Sequence, residues 1–437
     1  MMFLWCVLVL VSLLSVATGT SAGVKARITQ KVLEYGRAIG IESLQQKLRT
    51  IQLKDVSGTE KLDIGKVEYS ITGMQIVNLG LPKSALRLVP GTGVMLSVGD
   101  AYISLRGNWR VKYSWIIKAS GSFELAVSEL AISTIIAVKS DVTGRPTVSV
   151  TKCEAAVGSV KVRFHVSHTI YLLFQICSLV TASIAEMNHN LKTLNVLAKV
   201  DQYAELEYSM VESPVISNAM IDLGLKGEFY NIGPHEEPPF SPRPFLLPSQ
   251  DTNMLYIGVS AFSINSAGFV YHRAGALRLY ITDDMIPSGS LNRLNTKTFG
   301  KFIPQIAKMS PGLMMKLLVE TVKEPIITLE PNNMTVQASS KVTAYAIQPN
   351  SILSPLFVLR LEASVIYMYT ARCDLAESYV GPFQVRSLED IFTTVVKDVI
   401  IPKVNAGVKQ GYPLPAIGKM QLVKSHLQVL KVSLHLY

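Results

Sequence analysis

Six prolines fall within fifteen residues near the middle of the chain, and they constrain its architecture more than any other feature. Because proline fixes φ and lacks an amide hydrogen, this segment is extended and forms neither a helix nor a central strand. A chain of 437 residues also favours more than one domain. The sequence therefore predicts a linker at residues 234–250 between domains at residues 21–233 and 251–437.

Both predicted domains contain stretches in which polar and apolar residues alternate, such as residues 101–106, 161–166 and 277–282. This alternation predicts antiparallel strands with one buried face. Other segments repeat their apolar residues at helical spacing. These segments are residues 24–39 and 170–197 in the first half, and 297–322 and 388–399 in the second. We therefore predict an α+β fold in which each domain combines an antiparallel sheet with long helices.

Residues 1–20 have the pattern of a signal peptide, with an apolar run at 3–16 followed by small residues. We therefore expect a secreted protein, extracellular or stored in a secretory granule. The mean hydropathy is +0.30 and only 17% of the residues are charged. A secreted chain this apolar must bury much of its surface or hold apolar cargo.

Positive charge is concentrated near the start of the mature chain. Residues 21–120 carry 15 Lys and Arg against 7 Asp and Glu, an excess of eight positive charges. Such an excess favours an anionic partner, and an ordinary solvated basic surface is the alternative. Nucleic acid is excluded as the partner because the chain is secreted and has neither a basic run nor a nucleic-acid motif.

Three cysteines remain after the leader, which contains Cys6. In an oxidising compartment Cys153, Cys177 and Cys373 should give one disulfide and one free thiol. Spacing alone does not choose the pair, and we favour Cys153 with Cys177 because they are close in sequence and share a predicted domain. A sequon places a candidate glycan on Asn333.

Catalytic and metal-binding patterns are weak throughout the sequence. A G-x-S-x-G match at residues 19–23 straddles the leader cleavage, and no hydrolase pattern follows it. His165 and His168 have a metal-like spacing, but an odd offset on a strand points their side chains to opposite faces. We therefore expect no enzyme, no metal and no cofactor. A secreted esterase would need a Ser, His and Asp or Glu trio, and no credible one is present.

Several short runs, in order along almost the whole mature chain, point to one family. They are RITQK at residues 27–31, KGEFY at 226–230, NSAGFVY at 265–271, DDMIP at 283–287, AYAIQPNS at 344–351, GPF at 381–383 and GYPLP at 411–415. With these runs the chain resembles the family of bactericidal permeability-increasing protein and lipopolysaccharide-binding protein. Several runs in register are far more specific than any single motif.

The resemblance implies an elongated boomerang of two barrel-like domains. Each is a highly twisted antiparallel sheet wrapped around long helices, and a central sheet joins them. It also implies a disulfide between Cys153 and Cys177 and an apolar pocket in each barrel that holds the acyl chains of a phospholipid. Two segments depart from the family pattern, since residues 153–177 and 362–379 are both shorter than expected. These departures put the geometry of the pockets in question.

The family also directs attention to a basic hairpin at the tip of the first domain. Gly107 and Asn108 would lie near its turn, with Trp109 in a lipid headgroup layer. The candidate lipopolysaccharide-binding residues are Arg106, Arg110, Lys112 and Lys118, with a second cluster of Lys47, Arg49, Lys54 and Lys61. Arginine suits this role because its planar fork binds two phosphate oxygens at once. An ordinary solvated hairpin is the alternative.

By this resemblance the protein is expected to be a monomer that binds lipopolysaccharide through lipid A and also binds phospholipids. It would act at the bacterial outer membrane surface in innate antibacterial defence against Gram-negative bacteria. The alternative is a lipid-transfer protein for phospholipids or neutral lipids, which needs continuous apolar tunnels more than a basic tip.

Overall fold

The structure is a computed structural model. It describes residues 21–50, 52–62, 65–113, 117–162, 169–249, 252–365, 369–409, 411, 425–431 and 433–436. The predicted leader and the pair His165 and His168 lie outside these residues. Within them, no helix is long and apolar enough to cross a membrane.

The first half is dominated by long strands and two long helices. Its elements are β1 (Val24–Thr29), α1 (Gln30–Arg49), β2 (Val56–Leu62), β3 (Gly65–Gly80), β4 (Lys83–Val89), β5 (Gly93–Tyr113), β6 (Ile117–Ser140), β7 (Pro146–Val162), α2 (Thr169–Lys192), β8 (Leu197–Lys199), β9 (Ala204–Glu207), β10 (Val215–Ile216), β11 (Met220–Leu225) and β12 (Glu228–Asn231).

The second half has shorter strands and more broken helices. Its elements are β13 (Leu255–Ser260), α3 (Ala261–Arg273), β14 (Arg278–Ile281), α4 (Thr296–Phe299), α5 (Pro304–Met309), β15 (Met315–Thr321), β16 (Ile326–Glu330), β17 (Asn333–Ile347), β18 (Leu353–Val365), β19 (Tyr369–Ser378), α6 (Glu389–Val395), α7 (Ile401–Val408), β20 (Leu427–Leu430) and β21 (Ser433–Leu436). The predicted α+β class is confirmed.

The N-terminal sheet is an antiparallel half-barrel in the order β2-β3-β5-β6-β7, with β4 paired to β5. Register shifts interrupt the β3–β5 and β5–β6 ladders. At one of them Asp100 and Glu129 adopt φ of 52° and 57°, in the left-handed region. Bulges of this kind bend strands and increase their twist. They therefore curl strands as long as the 24-residue β6 around α1.

The C-terminal sheet is antiparallel in the order β14-β15-β17-β18-β19, with β16 paired to β17. The helical stretch from α6 to α7 packs onto it through Ile391, Phe392, Val395 and Val399, as the helical repeat at 388–399 predicted. Its core is dense, since Phe357 and Phe392 are both almost fully buried. The free Cys373 lies in this core, where burial raises the pKa of its thiol to about 12.

A third sheet joins the two halves, in the order β10-β11-β1-β13-β21-β20. Strand β1 lies between β11 of the first half and β13 of the second, with Val24 paired to both Leu225 and Val259. The joining element is therefore a continuous hydrogen-bonded sheet rather than a flexible hinge.

Two of the helix predictions are wrong. Residues 24–29 form β1 rather than the first turns of a helix, because Val24 and Ala26 are buried in alternation and every residue of the strand pairs with β11. Residues 297–322 form two short helices and then β15 rather than one long helix. In both segments pairing with distant strands outweighs a local helical repeat.

The described residues 235–249 of the predicted linker form neither a helix nor a strand, and some of them pack on the central sheet. Phe245 and Leu247 are buried on the central sheet over Gly258, where a Cβ would lie 2.6 Å from the Phe245 ring. Lys25 donates a hydrogen bond to the Phe245 carbonyl at 2.8 Å. The linker therefore covers one face of the central sheet.

We expect acid to weaken this central region through His435. The side chain lies buried 6.1 Å from the Phe245 ring, and Ser433 is its hydrogen-bond partner at 2.9 Å. In the folded state, burial lowers the pKa of His435 below its ordinary value of 6.5. The unfolded chain therefore binds a proton more readily, so the free energy of unfolding falls as pH drops below about 6.5.

The measurement is urea unfolding at several pH values between 7.5 and 5 for the wild type and His435→Gln. The substitution should flatten the pH dependence because it removes this titration. Parallel profiles for the two proteins would rule out His435 as the cause.

Candidate functional site

The basic residues predicted as a tip lie at the end of the N-terminal sheet that is remote from the central sheet. The near end is fixed by a hydrogen bond of 3.0 Å from the Gly91 amide to the Ile216 carbonyl of β10. Strand β5 runs twenty-one residues from there and pairs at its far end with the start of β6, Tyr113 opposite Ile117. Strands β2 and β3 meet at the same end of the sheet, since Val67 also pairs with Tyr113.

The strand register brings most of these cations onto one exposed face. Lys112 is opposite Lys118 on β6 and opposite Glu68 on β3, so all three side chains share a face. Arg106 and Arg110 lie on that face too, because they are six and two residues from Lys112 on the same strand. The group, here called the distal basic face, contains Lys61, Lys66, Arg106, Arg110, Lys112 and Lys118.

Two carboxylates share the distal basic face with its six cations: Glu68, and Glu124, which is paired opposite Arg106 on β6. Glu68 lies 3.6 Å from the Lys112 ammonium and 3.5 Å from that of Lys66, and its side chain is half exposed. Arg106 donates two hydrogen bonds to the Gln75 side-chain oxygen, at 3.0 and 3.2 Å. Within the described residues Arg110 and Lys118 form no ion pair. The face therefore keeps a net positive charge that is open to solvent.

The prediction that Gly107 and Asn108 lie near a hairpin turn is wrong. Both residues lie inside β5, where Asn108 is paired on both sides, and the strand continues to Tyr113 before the chain reverses. Gly107 is needed for packing instead, because a Cβ there would lie 2.7 Å from the Phe123 ring.

Trp109 is also placed differently from the prediction. Trp109 is an odd number of residues from Lys112 on β5, so its side chain points away from the distal basic face and toward the side where α1 lies. It packs across Gly121, where a Cβ would come within 2.9 Å of the indole nitrogen. Trp109 is half buried there and belongs to the inner lining of the sheet.

The second predicted basic cluster is not brought together as a unit. Lys61 joins the distal basic face through its pairing with Lys66. Lys47 and Arg49 lie in the last turn of α1, and Arg49 donates to the Leu79 carbonyl at 3.3 Å. Lys54 is exposed in the segment before β2. Only Lys61 of these four therefore shares a strand-defined face with Arg110.

The helix-facing side of the N-terminal sheet is lined by apolar side chains, among them the buried Leu79, Val98 and Leu130. Tyr69, Trp109 and Phe123 on this side are only partly buried. On α1, Tyr35 and Ile39 remain 61% and 55% exposed. Large apolar side chains of α1 are therefore accessible to a ligand.

A disulfide joins Cys153 on β7 to Cys177 on α2, with an S–S distance of 2.08 Å. The helix and the strand are in direct contact along their length. The Asn188 side chain of α2 adds hydrogen bonds to the backbone of Val148 on β7, one of them at 2.7 Å. The bond therefore fixes the second inner helix to the edge of the half-barrel.

A separate cleft of about 790 Å³ lies between the first half and the linker. At this cleft the Lys226 ammonium lies 3.4 Å from Glu207, 3.8 Å from Glu228 and 3.7 Å from Glu237. Burial raises the pKa of Glu228 above its usual range. The cleft is lined by both polar and apolar side chains, and Lys226 with its three carboxylates forms an ion-pair cluster within it.

The remaining predicted sites are simpler. Asn333 is the first residue of β17, directly after a tight turn in which Asn332 has φ of 56°. Among the described residues, no group of three or more His, Cys, Asp and Glu side chains could hold a metal ion.

Two curled antiparallel sheets joined by a central sheet define the fold class of this protein. Family models described as "LBP / BPI / CETP family, N-terminal domain" and "C-terminal domain" match residues 32–191 and 198–437. The chain belongs to the LBP/BPI/CETP family. Members of the BPI and LBP branches are lipid-binding proteins and not enzymes.

Individual relatives agree with this assignment. A bactericidal permeability-increasing protein of Sebastes schlegelii is 58% identical, with 98% of this chain and 97% of that protein covered. A lipopolysaccharide-binding protein of Mus musculus is 33% identical, with coverage of 96% and 93%. The crystal structure of a lipopolysaccharide binding protein matches with a TM-score of 0.59 and 31% identity, covering 95% of this chain and 98% of that one.

Proposed function

We propose that this chain is a secreted protein that binds lipopolysaccharide through its distal basic face. One observation carries the proposal: six cations share an exposed face at the remote end of a sheet whose inner side is apolar. Lipid A combines phosphates with acyl chains, so it suits such an arrangement. The names of the relatives from Sebastes schlegelii and Mus musculus support this ligand.

In this proposal the two faces of the N-terminal sheet bind different parts of the lipid. The Arg106 and Arg110 guanidinium groups and the lysines beside them attract phosphates, with Arg able to bind two oxygens at once. Acyl chains of lipid A or of phospholipids cover the exposed side chains of Tyr35 and Ile39 and the lining near Phe123. Each methylene buried there contributes about 0.8 kcal/mol. The protein would act at the bacterial outer membrane surface in antibacterial defence, with a glycan on Asn333.

We expect the variant Arg106→Ala/Arg110→Ala/Lys112→Ala/Lys118→Ala to bind lipopolysaccharide on the order of a hundredfold more weakly than the wild type at low salt. The reason is that four exposed cations are removed from one face while the strand pairing is retained. Added salt should weaken wild-type binding as well, because the Debye length is about 10 Å at 0.1 M and shorter above it. Equilibrium titration of labelled lipopolysaccharide measures both effects.

The matched control is Arg87→Ala/Lys139→Ala/Lys192→Ala/Lys199→Ala, which removes the same total charge from exposed positions elsewhere in the first half. It should retain most of the affinity. Equal losses of affinity in the two variants would indicate a general charge effect and would contradict binding at the distal basic face.

A lipid-transfer protein is the second candidate, and the exposed apolar side chains Tyr35 and Ile39 of α1 favour it. Extraction of the purified protein followed by lipid mass spectrometry identifies the cargo. Two results together would favour a lipid-transfer protein over a lipopolysaccharide-binding protein. They are neutral lipid as the main cargo, and a lipid-transfer rate of the quadruple variant equal to that of the wild type.

A further inference from the structure

The second half also has an end that is remote from the central sheet. Its near end is marked by a hydrogen bond of 3.0 Å from the Asn332 amide to the Val429 carbonyl of β20. Strand β17 then runs fifteen residues away from this contact to Ile347. There the segment 285–319 covers the end of the sheet, since the Ile347 amide donates to Met314 and the Met315 amide donates to Leu294, at 2.9 and 2.8 Å.

Large apolar side chains project into solvent at this end. They are Leu291, Met309, Ile352, Met314 and Phe302, which are 93%, 62%, 60%, 45% and 38% exposed. Backbone contacts place two of them at this end, since Met314 forms a bridge with Asn295 near the start of α4, and Ile352 accepts a hydrogen bond from Gln348, the residue after Ile347. Phe302 lies between α4 and α5, which contact each other, and Met309 ends α5.

The same segment is strongly basic. Residues 285–319 contain five Lys and Arg and no Asp or Glu. Arg293 is paired with Asp283 at 2.5 Å, and the Lys316 ammonium lies 4.2 Å from the centre of the Tyr280 ring. Lys297, Lys301 and Lys308 are exposed and form no ion pair within the part of the chain that the structure describes. The carboxylate of Asp284, just before the segment, is the nearest exposed acid in sequence.

Apolar side chains interleaved with unpaired lysines fit a membrane better than a protein partner. Lysine is depleted at the cores of protein interfaces, where its desolvation is costly. At a bilayer surface the lysine ammonium groups stay among anionic headgroups while neighbouring apolar side chains enter the acyl boundary.

We propose that this distal C-terminal surface, formed by Leu291, Lys297, Lys301, Phe302, Lys308 and Met309, docks on a bilayer with anionic headgroups. The surface acts independently of the distal basic face and does not require lipopolysaccharide. With one such surface on each half, a single molecule holds two separate contacts to anionic lipid.

The test uses the full chain carrying the quadruple substitution, here called the basal variant, which removes four of the six cations of the distal basic face. Vesicles of phosphatidylcholine with about one third phosphatidylglycerol are the probe, and co-sedimentation is the readout. We expect the basal variant to bind these vesicles and not vesicles of phosphatidylcholine alone. Adding Lys297→Gln/Lys301→Gln/Lys308→Gln should weaken binding at least tenfold.

Two further variants separate charge from folding effects. Leu291→Ser/Met309→Ser, made at highly exposed positions, should also weaken binding and should leave the circular dichroism spectrum unchanged. Lys323→Gln/Lys403→Gln/Lys409→Gln removes three other exposed lysines of the same half and should bind like the basal variant. Equal binding by the basal variant and by Lys297→Gln/Lys301→Gln/Lys308→Gln would overturn the proposal, as would equal binding to neutral vesicles. Lipopolysaccharide titration of the chain with an intact distal basic face reports separately on the proposed function.

Discussion

Replacing Phe357 by alanine is expected to lower the free energy of unfolding of the second half by about 3–5 kcal/mol. The side chain is fully buried at the centre of the C-terminal core. Its ring lies 6.3 Å from that of Phe299 and 5.3 Å from that of Phe383, so truncation leaves a cavity that several elements line. Urea unfolding followed by far-ultraviolet circular dichroism measures the change.

The matched control is Phe123→Ala, made on the helix-facing side of the N-terminal sheet. Phe123 is only partly buried, so its removal leaves no enclosed cavity and should cost about 1 kcal/mol or less in the lipid-free protein. Tryptophan emission follows this half separately, because Trp109 and Trp115 are the tryptophans beyond the predicted leader. Equal losses in the two variants would mean that the first half is packed as tightly as the second.

Removing the disulfide should give the second large loss of stability. Cys153 and Cys177 are separated by 24 residues, and a loop of that length contributes about 3–4 kcal/mol by the chain-entropy relation. We therefore expect Cys153→Ser/Cys177→Ser to unfold at a much lower urea concentration than the wild type. The transition reported by tryptophan emission should move most, since the bond lies in the first half.

The control for the disulfide variant is the third cysteine. Cys373→Ala removes a buried free thiol and should change stability much less than loss of the bond. Wild type treated with a reductant should then unfold like the double variant. An unchanged transition after reduction would contradict a stabilising role for the bond.

Predictions from local patterns succeeded where one pattern alone fitted the residues. The alternation at residues 277–282 identified β14, and the apolar repeat at 388–399 identified the helices that fill the second core. Residues 24–29 were ambiguous, because Val24 and Ile28 fit a helical stripe while Val24 and Ala26 fit a strand. Pairing with β11 and β13, about 200 residues away, decides between them and leaves no trace in the local sequence.

The candidate site was recovered in part for the same reason. Once β5 is known to be a strand, the alternation of its side chains places Arg106, Arg110 and Lys112 on one face. The pair Gly107 and Asn108 has the composition of a turn, yet it lies inside a strand of twenty-one residues. Gly107 leaves room for the Phe123 ring, and this contact follows from the sheet register rather than from the local sequence. The apolar, basic end of the second half was missed because its cations are spread thinly between residues 293 and 316.

The position of β1 between β11 and β13 has a consequence for biosynthesis. The edge of β1 that pairs with β13 stays unpaired until Val259, the partner of Val24, has left the ribosome. At roughly 5–20 residues per second, this delay lasts on the order of ten seconds or more. During that interval a nascent chain carries an unfinished strand edge, which invites pairing with other chains. We therefore expect chaperones that shield this edge until β1 and β13 pair to raise the yield of folded protein.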